Sequence, residues 1–172
     1  VDALGAKRVR AFMLPYVFTS KHSIEDAAAC AKALGISHEV IEINRTVDAA
    51  KAALAPVFKG RPADITEENL QSRTRGLLLM ALSNKLGWIL LTTGNKSEVS
   101  VGYATLYGDM NGGFNPVKDL YKTDVYRLAR RLLPTLEPDL VLYGVCLNDF
   151  LPSGRGQYEN NRAWSFTPPY AF

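Results

Sequence analysis

Two hydrophobic periods alternate along this chain, and the switches between them mark out its elements. Arg8–Leu14 has a period of two: Val9, Ala11 and Met13 fall on one face, Arg10 and Phe12 on the other, and Pro15 ends the run. This pattern predicts a strand. Ser23-Ile24-Glu25-Asp26 has the spacing of a capping box and predicts a helix over Ile24–Leu34. Ala27, Cys30, Ala31 and Leu34 would point inward, with Gly35 as the C-cap. Ser37–Ile43 returns to the strand period. Thr46 is placed to cap a helix over Val47–Val57, and Thr66 to cap a longer one over Glu67–Leu86, closed by Gly87. Leu70, Leu77, Leu78, Ala81, Leu82 and Leu86 form the apolar stripe of that long helix. The run Trp88–Thr93 predicts a third, buried strand, and Thr123–Leu133 a last helix. Strand–helix–strand repetition at this spacing is the rhythm of a parallel α/β sheet.

The most informative stretch is Leu90–Lys122. A buried strand opens there into a polar turn, Thr92-Thr93-Gly94-Asn95-Lys96-Ser97-Glu98, followed by Gly102, Gly108, Gly112 and Gly113. Ligands in open α/β sheets bind outside the carboxyl ends of the strands, and glycine lets backbone approach a ligand closely. Lys96, Glu98, Asp109 and Lys122 add charge of both signs. Together these features predict a phosphate and metal site.

Composition narrows the reading only a little. The 172 residues are 47% hydrophobic and 22% charged, as in an ordinary globular domain. A net charge of +3 with no basic stripe argues against a nucleic-acid binder. No apolar run reaches about 18 residues, so no membrane span is expected. Cys30 and Cys146 are widely separated and are expected to be reduced thiols. The sequence has no H-x-x-x-H, G-x-S-x-G or P-loop motif. Beyond Pro134 the periodicity fades. The expected organisation is a domain over residues 1–133 and a divergent or poorly ordered segment over 134–172.

Individual residues leave two readings open. Glu98 could hold Mg²⁺ or could simply serve the first turn of a short helix. Lys122 could neutralise a phosphate or be a solvated lysine. Asp109 could bond its own turn or a ligand donor. Asn69 and Arg73 share a helix face. Arg73 and Arg75 are cations near a helix N-terminus and so oppose its dipole; recognition of phosphate or carboxylate would explain them.

Three motifs, in order, carry a resemblance: M-L-P-Y with T-S-K-H-S-I-E-D (Met13–Asp26), E-N-L-Q-S-R-T-R-G (Glu68–Gly76), and T-G-N-K-S-E-V-S-V-G-Y-A-T-L-Y-G-D-M-N-G-G-F-N-P-V-K-D-L-Y-K-T from Thr93 onward. The sequence resembles the synthetase domain of NAD⁺ synthetases, particularly the glutamine-dependent type, within the ATP pyrophosphatases. The resemblance implies a doubly wound α/β fold of the adenine nucleotide alpha hydrolase-like kind. It implies ATP- and Mg²⁺-dependent adenylation of nicotinic acid adenine dinucleotide, followed by displacement of AMP by ammonia from glutamine or from solution. It places Glu98 on Mg²⁺, Thr93 and Lys122 on ATP phosphates or the adenylate, and Met13 and Leu14 along the adenine. Asn69, Arg73 and Asp109 would hold the dinucleotide. A cytoplasmic homodimer, with the long helix near the interface, is also implied. The family's S-G-G-x-D-S loop does not occur in the sequence. The expectation is therefore a fragment that lacks the central first strand and is inactive alone. Two alternatives remain at this point, another ATP pyrophosphatase such as a GMP synthetase-like ligase, and a non-catalytic nucleotide-binding module.

Overall fold

The computed structural model describes residues 1–132, so expectations for residues beyond 132 lie outside the described part. After a 3₁₀ turn at Ala6–Arg8, the order is β1 (Arg10–Met13), α1 (Lys21–Ala33), β2 (Ser37–Val40), α2 (Asn44–Leu54), α3 (Ile65–Leu86), α4 (Lys96–Ser100) and α5 (Lys122–Leu132). β1 and β2 pair in parallel, Arg10 opposite Ser37 and Met13 opposite Val40, with α1 as the crossover. Backbone bonding continues past both strand ends, from Ile41 N–H to the Met13 carbonyl (2.8 Å) and from Ile43 N–H to the Pro15 carbonyl (3.1 Å). Both alternating runs are thus paired over most of their expected length.

Helix starts follow backbone geometry and burial more than the nearest capping motif. Ser20, extended at φ −65° and ψ 149°, caps α1 by accepting from Ser23 N–H, so the helix begins before Ser23. Ser23 is itself helical and cannot be the cap. α2 begins at Asn44 without a side-chain cap because Ile43 and Val47, both 0% exposed, fix its first turn in the core. α3 is capped by Asp64, not Thr66. The Asp64 carboxylate accepts from Thr66 N–H at 2.8 Å, and Glu67 reaches back to Asp64 N–H at 2.9 Å. Gly87, left-handed at φ 68°, closes α3 as expected.

The core lies where β1 and β2 end. Leu14, Tyr16, Ile43 and Val47 form it, with Phe12, Ile41, Leu70, Leu78 and Leu79 packed around. The Tyr16 hydroxyl bonds Asp48 at 3.1 Å, so a buried ring keeps its polar end satisfied. Only part of the expected α3 stripe faces inward: Leu77 and Leu86 are exposed.

The third strand is the main departure. Residues 88–93 join no sheet among the described residues, and the single bridge there pairs Leu91 with Phe114 in parallel. Trp88, Ile89 and Leu91 are exposed rather than buried. A parallel strand buries an apolar run when helices cover its faces while neighbouring strands take its backbone groups. Here those groups meet a loop: Thr92 N–H donates to the Phe114 carbonyl at 3.0 Å and Gly113 N–H to the Leu90 carbonyl at 2.9 Å. Contact with β1 is through side chains, with the Phe12 and Trp88 rings 6.3 Å apart and the Arg10 guanidinium 4.9 Å from the Trp88 ring centre. Of the doubly wound sheet, the described residues form the parallel β1–α1–β2 unit.

Candidate functional site

Beyond Leu91 the chain leaves the Phe114 bridge and enters α4 through Asn95. Asn95 is 5% exposed and forms a complete capping box. Its Oδ1 accepts from Glu98 N–H at 3.1 Å, and its own N–H donates to Glu98 Oε2 at 2.9 Å. N-K-S-E has the capping spacing of a helix start, a signal the sequence reading passed over at Asn95. Glu98 is therefore committed through one carboxylate oxygen to the α4 terminus. The helix-start reading of Glu98 is thus met, and the residue also lines a cavity.

That cavity is about 330 Å³, at the small end for ligand sites. Thr92, Gly94, Glu98 and Val99 form one wall. Tyr103, Ala104, Asp109 and Met110 come from the following loop, and Gly112–Asn115 and Lys118 complete the lining. Two acidic residues, a lysine and two aromatic residues thus line one space. Gly112, at φ 153°, has room only for hydrogen: a Cβ there would stand 2.9 Å from the Leu90 carbonyl and 2.7 Å from the Thr92 methyl. This close approach is what brings the 112–115 turn onto the strand end. Asn115 fixes the turn from both ends of its amide, donating to the Gly94 carbonyl (2.8 Å) and accepting from Val117 N–H (3.1 Å). Asn before Pro is a turn signal, and with Lys118 and Tyr103 it was absent from the sequence-based set.

The remaining expected site residues, Asp109 apart, are not among those lining this space. Thr93 is exposed beside the lining residue Thr92. Lys122 opens α5, and its backbone N–H donates to Ser97 Oγ at 3.0 Å, tying α5 to α4. Lys96 stacks its ammonium 4.7 Å from the Tyr121 ring centre. Met13 and Leu14 sit at the β1 end, where the buried Leu14 carbonyl accepts from Arg75 Nε at 2.9 Å. Burial holds the Arg75 guanidinium below its ordinary pKa. Asn69 Oδ1 accepts from Thr105 Oγ1 at 3.0 Å, and Arg73 Nε donates to the Leu106 carbonyl at 3.2 Å. A backbone carbonyl thus engages Nε of each arginine placed against the dipole of α3. Asp109 bonds its own loop, as a turn aspartate does, and also lines the cavity.

Among the described residues no group of three or more His, Cys, Asp or Glu side chains is arranged to enclose a metal. Magnesium does not need such a cage, because it binds through one or two carboxylates together with substrate phosphates and water. The carboxylate of Glu98, a residue of the cavity lining, is compatible with that donor set.

A family profile described as NAD synthase matches residues 1–142. The chain belongs to the NAD synthase family. Similar proteins include the glutamine-dependent NAD(+) synthetase of Thermotoga maritima, 58% identical over 129 residues, which are 75% of this chain and 22% of that protein. The glutamine-dependent NAD(+) synthetase of Rhodobacter capsulatus is 48% identical over 174 residues, covering 98% of this chain and 31% of that protein. Among solved structures, glutamine-dependent NAD+ synthetase from Acinetobacter baumannii in complex with ADP superposes with a TM-score of 0.78 at 49% identity, over 86% of this chain and 29% of that one. The ammonia-dependent NAD synthetase of Campylobacter jejuni gives 0.67 at 29% identity, over 91% and 64%. The chain thus spans between about a fifth and a third of the glutamine-dependent relatives named here. Among its described residues no helix is long and apolar enough to cross a membrane.

Proposed function

We propose that this chain supplies part of the site at which nicotinic acid adenine dinucleotide is amidated to NAD⁺ at the expense of ATP. The observation that carries the reading is the family match over residues 1–142, joined to a cavity at the end of the 88–92 segment whose wall includes Glu98 and Asp109. In this chemistry a carboxylate oxygen of the substrate attacks the α-phosphorus of ATP and pyrophosphate leaves. Ammonia, free or released from glutamine, then attacks the adenylated carbonyl and AMP departs. No protein nucleophile is needed, so the protein's part is binding and charge stabilisation. Glu98 is the proposed Mg²⁺ ligand; the ion would neutralise phosphate charge when bound. Thr93 and Lys122 are assigned to the ATP phosphates or the adenylate, and Met13 and Leu14 to the adenine. Asn69, Arg73 and Asp109 are assigned to the dinucleotide. The cavity has room for one ligand fragment rather than for two nucleotides at once. The reading also includes binding without turnover by this chain alone, a cytoplasmic setting, and a homodimer for the whole protein.

Calorimetric titration of the 172-residue chain with ATP and with the dinucleotide, each with and without Mg²⁺, tests the reading. Binding of the dinucleotide, and Mg²⁺-dependent ATP binding that Glu98→Gln weakens, are the expected results. ATP binding alone would favour a nucleotide-binding module, and NAD⁺ formation by the purified chain would overturn the assignment of inactivity.

A further inference from the structure

One face of α3 carries Asn69, Ser72, Arg73 and Gly76, spaced i, i+3, i+4 and i+7. Each of the four meets the 105–111 loop. Asn69 takes the Thr105 hydroxyl and Arg73 the Leu106 carbonyl. Gly76 lies where a Cβ would stand 2.8 Å from the Tyr107 carbonyl and would collide with the Asn111 amide. Ser72 reaches Asp109 directly. Its Oγ accepts from Asp109 N–H at 3.1 Å and donates to Asp109 Oδ1 at 3.3 Å, long for a hydroxyl donor, so the backbone bond carries most of the hold. The same Oδ1 takes Thr105 N–H at 2.7 Å. Gly108 admits the Ser72 hydroxyl: a Cβ on Gly108 would meet Ser72 Oγ within contact distance and Ser72 Cβ at 3.0 Å. One carboxylate oxygen of Asp109 is thus pinned twice from its own side, while the residue lines the cavity.

We infer that Ser72 is a positioning residue for ligand binding: it holds Asp109 and its loop against α3, so that the carboxylate presents a fixed acceptor to hydroxyl donors of a ribosyl ligand in the cavity. The inference rests on the assignment of the dinucleotide to this site. Pre-ordering of the acceptor removes an entropic cost from binding. Ser72 acts through Asp109 and is given no contact with the ligand.

The test is calorimetric titration of the 172-residue chain and its Ser72→Ala, Ser72→Thr, Asp109→Asn and S72A/D109N variants with nicotinic acid adenine dinucleotide and, separately, ATP. Circular dichroism confirms that each variant is folded. Ser72→Ala is expected to weaken dinucleotide binding about tenfold and to leave ATP binding within about twofold. Threonine, which keeps the hydroxyl, restores most of the loss. In the D109N background, Ser72→Ala adds less than about twofold, because the two residues act as one unit. Unchanged dinucleotide affinity in Ser72→Ala overturns the inference, as do equal losses for both ligands or fully multiplicative effects in the double variant. A wild-type chain that binds no dinucleotide overturns the functional reading itself, and the role of Ser72 with it.

Discussion

Gly76→Ala separates helix propensity from packing, because the two push in opposite directions. In the interior of an exposed helix, alanine is better than glycine by about 1 kcal/mol. Gly76 is interior to α3 but buried under the 105–111 loop. The new methyl would lie 2.8 Å from the Tyr107 carbonyl, which is backbone, and would overlap the Asn111 amide that donates to that same carbonyl at 2.7 Å. Backbone cannot rotate out of the way, so the loop must lift. Inserting a methyl into a filled site costs about 1–3 kcal/mol. Lifting the loop also strains the Arg73–Leu106 and Ser72–Asp109 bonds, each worth about 1 kcal/mol. With those bonds partly lost, subtracting the propensity gain leaves Gly76→Ala less stable by about 1–3 kcal/mol, or a Tm lower by about 2–12 °C. Urea unfolding followed by circular dichroism measures this, with an unchanged m-value showing that stability alone has moved. Adding Asn111→Ala should recover only part of the loss, since the Tyr107 carbonyl stays in place. A Gly76→Ala chain about 1 kcal/mol more stable than wild type would refute the docking of the loop on α3.

Three further outcomes follow from other contacts. Asn95→Ala removes the buried acceptor of the α4 capping box and is expected to cost about 1–2 kcal/mol by urea denaturation; no loss there would mean that α4 does not depend on its cap. Arg75→Met keeps an aliphatic stem but withdraws the donor from the buried Leu14 carbonyl, for an expected cost of about 1–3 kcal/mol; lysine, lacking the fixed guanidinium fork, should not restore it. Hydrogen bonds from Thr66, together with Arg61, hold the Asp64 carboxyl below its ordinary pKa. A folded pKa depressed below the unfolded value of about 3.9 gives stability that is present above that value and lost as pH falls through the folded one. An acid titration followed at 222 nm should therefore show α3 weakening below about pH 4, and Asp64→Asn, which keeps the acceptor but cannot titrate, should flatten that part of the curve.

Local pattern carried far for the elements that pair or pack with close neighbours in sequence. Both alternating runs lie in the β1–β2 ladder, and every expected helix within the described residues is present, shifted at its ends. The shifts have one origin. A cap must be extended, and which of several serines, threonines or aspartates is extended depends on where burial fixes the next turn, as Ile43 and Val47 do for α2. The Trp88–Thr93 run misled for a related reason. Its composition states that it can be buried, whereas the burial itself belongs to the partners on either side, and here a loop around Phe114 is its backbone partner. Glu98 and Asp109, both of which line the cavity, were legible from strand-end position and charge. Asn95, Asn115 and Lys118 were not, although Asn-x-x-Glu and Asn-Pro were signals in plain view.

By itself the sequence determined the family, the βαβ rhythm and the stretch that builds the site, because these depend on residue type and spacing along the chain. Only the tertiary structure decided what the stripe on α3 is for. Asn69 and Arg73 share a face in any helix, and spacing cannot say what that face meets. The structure lays the 105–111 loop on it, with Ser72 on Asp109 and two glycines where a Cβ would collide. Contacts between residues more than thirty positions apart cannot be read from a local period, because they exist only once the chain has folded to bring α3 and the loop together.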